Sequence, residues 1–220
     1  MNTPSKAIRT AMQAIAFTAI IALTAGCATD YRNASATSST FEDGAVSIDD
    51  TILKLDAVLI ALDDLLESPA RNISSQFQEY SRAVSELEES VKTFDSSTRT
   101  LETQGNQYFQ NWETEISKIQ NQDIQSRSRE RKENTARQFR AVSNEFLQTR
   151  NDLAPFVSGL VDIRTALRID LTESGISSLD GLLQDANKDG EYLRRSMVRL
   201  SDDFRTMKGS LSAARPVSSR

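Results

Sequence analysis

The chain reads as an all-α protein, an elongated antiparallel helical bundle or coiled coil of three long helices plus one short N-terminal helix. Three observations point there. Breakers are scarce, with 8 Gly and 4 Pro in 220 residues. Ala, Leu, Glu, Gln, Arg and Ser, which favour helix or tolerate it, are abundant. Above all, apolar residues recur in alternating steps of three and four over long stretches, the spacing that lines one helix face.

The first element runs from about Ile48. Ile52, Leu55, Leu59, Leu62 and Leu66 form its stripe, which Leu53, Val58, Ile60 and Leu65 widen. Ser68-Pro69 ends it, because a residue preceding proline is pushed out of the helical region. The second element is the longest and carries Ile73, Phe77, Tyr80, Val84, Leu87, Val91, Phe94, Thr98, Leu101, Gly105, Tyr108 and Trp112, with Ile116 and Ile119 continuing the face. A polar stretch from Asn121 to Asn134 follows and is expected to hold a turn near residue 126.

The third element repeats the pattern through Phe139, Val142, Phe146, Thr149, Leu153, Phe156, Leu160, Ile163 and Leu167. Pro155 lies inside it. Either Asp152 caps a new helix there or the proline bends a continuous one; the unbroken period favours the latter. The last element starts near Thr172, a side chain suited to an N-cap, with Glu173 in the first turn. Its stripe is Ile176, Leu179, Leu183, Ala186, Gly190, Leu193, Met197, Leu200, Phe204 and Met207. Turns near residues 68, 126 and 171 make successive helices antiparallel, and an extended coiled-coil oligomer is the competing arrangement.

The N-terminus carries a different signal. Lys6 and Arg9 precede an apolar stretch from Ala11 to Ala22, and Leu23-Thr24-Ala25-Gly26-Cys27 follows. A charged start, a short apolar run and small residues at the cut describe an export signal over 1–26. Small residues before a cysteine resemble the lipobox of bacterial lipoproteins, in which the cysteine is acylated after cleavage. That resemblance implies palmitate-type acylation at Cys27 and lipid anchoring to a membrane. Ala28 after the cysteine, with no aspartate there, implies the periplasmic face of the outer membrane. Residues 27–47, rich in Ser, Thr and Ala, are expected to form a flexible tether, 48–209 the helical body, and 210–220 a disordered tail.

Composition narrows the chemistry. There is no histidine and only 1 cysteine. Ser-His-Asp and Cys-His nucleophiles, zinc sites built on those residues, and an internal disulfide are all excluded. The expectation is a non-enzyme with no catalytic residue, metal or cofactor. The formal net charge of -5 argues against general nucleic-acid binding.

Charge is nonetheless uneven. Phe41 to Ser90 is strongly acidic, whereas Arg127, Arg129, Arg131, Lys132, Arg137 and Arg140 form a basic cluster. The expectation puts that cluster at a hairpin tip far from the tether, where it would meet an envelope protein or an anionic polymer. Gly105 and Gly190, expected at similar heights, would with Trp112 frame a small seam pocket; the plainer reading is close helix approach.

The stretches YFQNWETEI (108–116), ARQFRAV (136–142), NDLAPFVSGLVDIRTAL (151–167) and GISSLDGLL (175–183) are similar to the bacterial lipoprotein family catalogued as domain of unknown function 2959. The resemblance implies an exported helical lipoprotein and brings no activity or functional residue. The expected role is a membrane-anchored structural or adaptor protein of the envelope, with homo-oligomerisation open. A bundle binding lipid or a small ligand is the alternative.

Overall fold

Small side chains can seat one helix close against another, and the segment with the weakest apolar signal does so here. In the computed structural model, which describes residues 25–67 and 72–212, α1 runs unbroken over Ala25–Glu67. The expected tether is therefore the first half of a helix. Phe41, Ala45 and Ile48 are buried in the core. They continue a stripe that Thr37, Ser38, Thr40 and Ser47, also buried, had hidden from a reading of apolar residues. The Thr40 hydroxyl lies between the Ala36 carbonyl, 3.0 Å away, and the Gln104 side chain. The Thr51 hydroxyl lies 2.9 Å from the Ser47 carbonyl and 2.7 Å from Ser90 Oγ. Packing of this kind overrides the modest helix propensity of Ser and Thr.

The remaining elements are α2 (Ile73–Ser117), α3 (Gln122–Ile169), a single short α4 (Glu173–Ser178) and α5 (Asp180–Ser212). Helix α1 packs against α2 and α5, and α3 packs against the same two. The architecture is an up-down-up-down four-helix bundle, as the all-α antiparallel expectation has it, except that the N-terminal helix is long and a six-residue corner helix precedes α5. At 1.5 Å per residue α2 is about 68 Å long. No strand occurs among the described residues.

The turn expected near residue 126 lies earlier, at Lys118–Asn121. Asn121 caps α3, its side chain accepting from the Ile124 N–H at 3.1 Å. Gln125 Nε2 then donates back to the carbonyls of Ile116 and Ile119, at 3.3 and 3.4 Å. The polar stretch is thus the opening of α3. It lacks a wide apolar stripe because its helix is largely exposed until Ala136 and Phe139 reach the core. The third turn matches its expectation: the Thr172 hydroxyl accepts from the Gly175 N–H at 3.0 Å. Pro155 sits within a continuous α3 on an exposed position, where water can solvate the carbonyl its missing N–H leaves free.

Aromatic rings tie the four helices together. Phe94 meets Phe146 at 4.4 Å between centroids, Phe146 meets Phe204 at 5.1 Å, and Phe204 meets Phe41 at 5.3 Å. Each pair is tilted edge to face, the arrangement the ring quadrupoles favour. The Tyr80 hydroxyl donates 2.8 Å to the Leu160 carbonyl across α2 and α3, and burial pushes its phenol up from the ordinary value.

Most of residues 1–26, the expected export signal, and residues 213–220 of the expected tail lie outside the described residues. Ser210 to Ser212, expected in that tail, belong to α5. Among the described residues no helix is long and apolar enough to cross a membrane.

Candidate functional site

Two surface features and one seam bear on function. The basic residues lie on α3 between Arg127 and Arg140, from its exposed opening to the turn where Ala136 and Phe139 enter the core. Arg129 and Lys132 both bond to Glu113 of α2, the former at 3.4 Å. The hydrogen bond from Lys132, above all, holds the Glu113 carboxyl below its ordinary value. Arg131 stands with its guanidinium 5.9 Å from the centroid of the Trp112 ring. Arg127, Arg131, Arg137 and Arg140 are exposed and have no carboxylate partner among the described residues. The cluster therefore divides: two cations lock the α2–α3 hairpin with a carboxylate, Arg131 lies over Trp112, and Arg127, Arg137 and Arg140 stand at the surface without a carboxylate partner among the described residues.

The register of α1 changes where this cluster stands. Thr40 touches Gln104, and α1 runs antiparallel to α2. Thirteen residues back from Thr40 is Cys27, and thirteen on from Gln104 is Ser117, the end of α2. Both paths cover about 20 Å of helix. The backbone at Cys27 and the opening of α3 thus share one end of the bundle, and the basic cluster is not at the far tip. The expectation failed because it treated 27–47 as free chain.

The seam pocket is also corrected. A side chain at Gly105 would collide with the Phe139 ring, and one at Gly190 with Leu59, with Phe156 also close. Each glycine receives a neighbour, so the seam is filled. The two are not level either. Gly105 lies beside Phe139, whereas Gly190 packs against Leu59 and Phe156, and Phe139 and Phe156 are separated by about 25 Å of α3. Trp112 is half-buried in an aromatic group with Tyr108 at 5.5 Å and Phe109 at 6.3 Å. Phe109 falls off the three-four stripe and was missed; its contact with Phe139, at 5.4 Å, comes from the other side of the hairpin.

The feature that periodicity does not disclose is a groove between α3 and α5, open to solvent and about 910 Å³ in volume. Its floor is apolar, from Phe156, Leu160 and Ile163 on α3 to Leu182, Ala186 and Leu193 on α5. Gly159 lies on this side, and an added Cβ there would touch nothing within 4 Å. Leu182 and Tyr192 are 59% and 55% exposed, unusual for residues of their size beside a core. The charged lining consists of Asp152, Asp162, Asp185 and Asp189. No stripe in the sequence marked it; Ala186, small within the α5 stripe, and Gly159, off the α3 stripe, are its only compositional trace.

Beyond the groove, Glu145 of α3 faces Asp203 of α5. Burial first, and then the neighbouring Asp203 carboxylate, push the Glu145 carboxyl above its ordinary value. Elsewhere two carboxylates of the acidic stretch join helices. Glu86 pairs with Lys54 at 2.9 Å and Glu88 with Arg164 at 3.1 Å, joining α2 to α1 and α3. The same hydrogen bond from Lys54 lowers the Glu86 carboxyl.

Residues 32–204 match the family described as protein of unknown function, DUF2959. The chain belongs to this family. The match reaches into all five helices and includes residues 32–47 of the expected tether. No curated protein and no solved structure matches the chain.

Proposed function

We propose that this DUF2959 protein is a cell-envelope lipoprotein, exported, acylated at Cys27 and held at the periplasmic face of the outer membrane, where its bundle works without catalysis as an adaptor. The observation that carries the reading is the continuity of α1. Cys27 lies within α1, which enters the core without a break, so an anchor there would hold a stiff body. Acyl chains contribute roughly 0.8 kcal/mol per buried methylene, and two or more give stable attachment. Arg127 at the same end supplies charge suited to anionic headgroups near the surface, and Arg131, Arg137 and Arg140, about 14 to 27 Å up α3, suit an anionic polymer or an acidic partner. The open groove between α3 and α5 offers a face for a protein partner.

Replacing Cys27 tests the anchoring. Cys27→Ser is expected to move the protein from the membrane to the soluble envelope fraction and to abolish incorporation of labelled palmitate. Unchanged membrane fractionation of that variant would overturn the anchored reading.

A further inference from the structure

The groove between α3 and α5 differs from the other helix junctions, which close over their seams with ion pairs. Arg194 reaches Asp56 across α5 and α1 at 2.6 Å, and Arg164 reaches Glu88 across α3 and α2. Along the groove the charged side chains on both banks are carboxylates: Asp152 and Asp162 on α3, Asp185 and Asp189 on α5. Lys188 approaches Asp185 at 3.4 Å from outside the lining, and the other three have no ion-pair partner among the described residues.

We propose that this groove receives an amphipathic helix of a partner protein, its apolar stripe on the floor and Lys or Arg on both sides of that stripe. This deepens the adaptor reading by naming the partner's chemistry. Three features select that occupant. The lining extends from Gln148 to Ala166 along α3, about 27 Å or five turns, which suits a helix of roughly 18 residues laid lengthwise. The floor offers apolar contacts on both walls, as helix-in-groove recognition requires, with anchors at i, i+3, i+4 and i+7. The carboxylates on each bank meet cations on each flank, and that pairing sets register and excludes acidic helices. A second copy of the same groove would oppose carboxylate to carboxylate, which disfavours self-pairing across this face.

The test uses the full chain, lipidated and held in phosphatidylcholine vesicles so that no anionic lipid competes. The probe is a fluorescent 18-residue amphipathic helix with Leu on the stripe and Lys on both flanks. A second probe carries Glu in place of each Lys. The Lys probe is expected to bind, to weaken with salt, and to protect amides of 148–166 and 179–193 from exchange. Asp152→Lys with Asp189→Lys should weaken it about tenfold or more and favour the Glu probe instead. Leu182→Ala, at an exposed position that costs the fold little, should weaken both probes several-fold. Equal binding of the two probes, indifference to the charge reversal, or a dimer that buries the groove would each overturn the proposal. None of these results bears on the fractionation of Cys27→Ser, so the two readings fail separately.

Discussion

Glu145 is the side chain that works against its own fold. Its carboxyl is partly buried and faces Asp203, so ionisation costs more in the folded chain than in the unfolded one. A carboxyl whose folded pKa is raised incurs no penalty at pH values below the unfolded range, where both states are protonated. The penalty grows as pH rises through that range and is complete above the folded pKa. Glu145→Gln is therefore expected to raise the melting temperature near about pH 7 and to leave it unchanged near about pH 3. Thermal unfolding followed by circular dichroism at the two pH values checks this; an equal effect at both would show that ionisation is not the cause. Glu113 and Glu86 have the opposite sign. Their lowered pKa values contribute stability above the ordinary carboxylate range that is lost as pH falls through the folded pKa.

At the scale of the element, the glycines separate packing from propensity. Gly105 and Gly159 both lie within long helices, where glycine costs about 1 kcal/mol relative to alanine. Only Gly105 has a ring against its Cα. Gly105→Ala should force Phe139 aside and destabilise the fold by ~1–3 kcal/mol. Gly159→Ala meets open space and should stabilise it by up to ~1 kcal/mol. Urea midpoints measure both, and stabilisation by Gly105→Ala would refute the close approach. The elements were legible from sequence where large apolar residues made the stripe, as in α2, α3 and α5. The first half of α1 was not, because its interface is built from Thr37, Ser38, Thr40 and Ser47, whose burial depends on partners such as Gln104 far along the chain. The basic cluster was legible as composition. Its division into paired and unpaired arginines was not, since Glu113 comes to Arg129 and Lys132 only once the hairpin closes.

At the scale of the molecule, the antiparallel register sets which end faces a membrane on the anchored reading. Trp112, the only tryptophan, reports on the end shared with Cys27. With dansyl-labelled headgroups in the vesicle, Trp112 should transfer energy to the lipid. A tryptophan at Ile169, 83% exposed at the opposite end, should not do so in a Trp112→Phe background. Transfer from position 169 and not from 112 would invert the orientation. The fold class was legible because a 3.5-residue period over such lengths admits few alternatives. The groove was not, since it is a space left between two helices and no single stripe records it.

The unbroken α1 has a mechanical consequence. A lipoprotein on a loose linker explores a hemisphere around its acyl chains and meets partners by searching. An attachment residue that is itself part of a core-packed helix has far less of that freedom. Tilt of the body and depth of the lipid become one variable, and the α3–α5 groove, running along the same axis, would be held at a set range of heights above the bilayer. A partner helix would then be selected by where it stands as well as by what it carries.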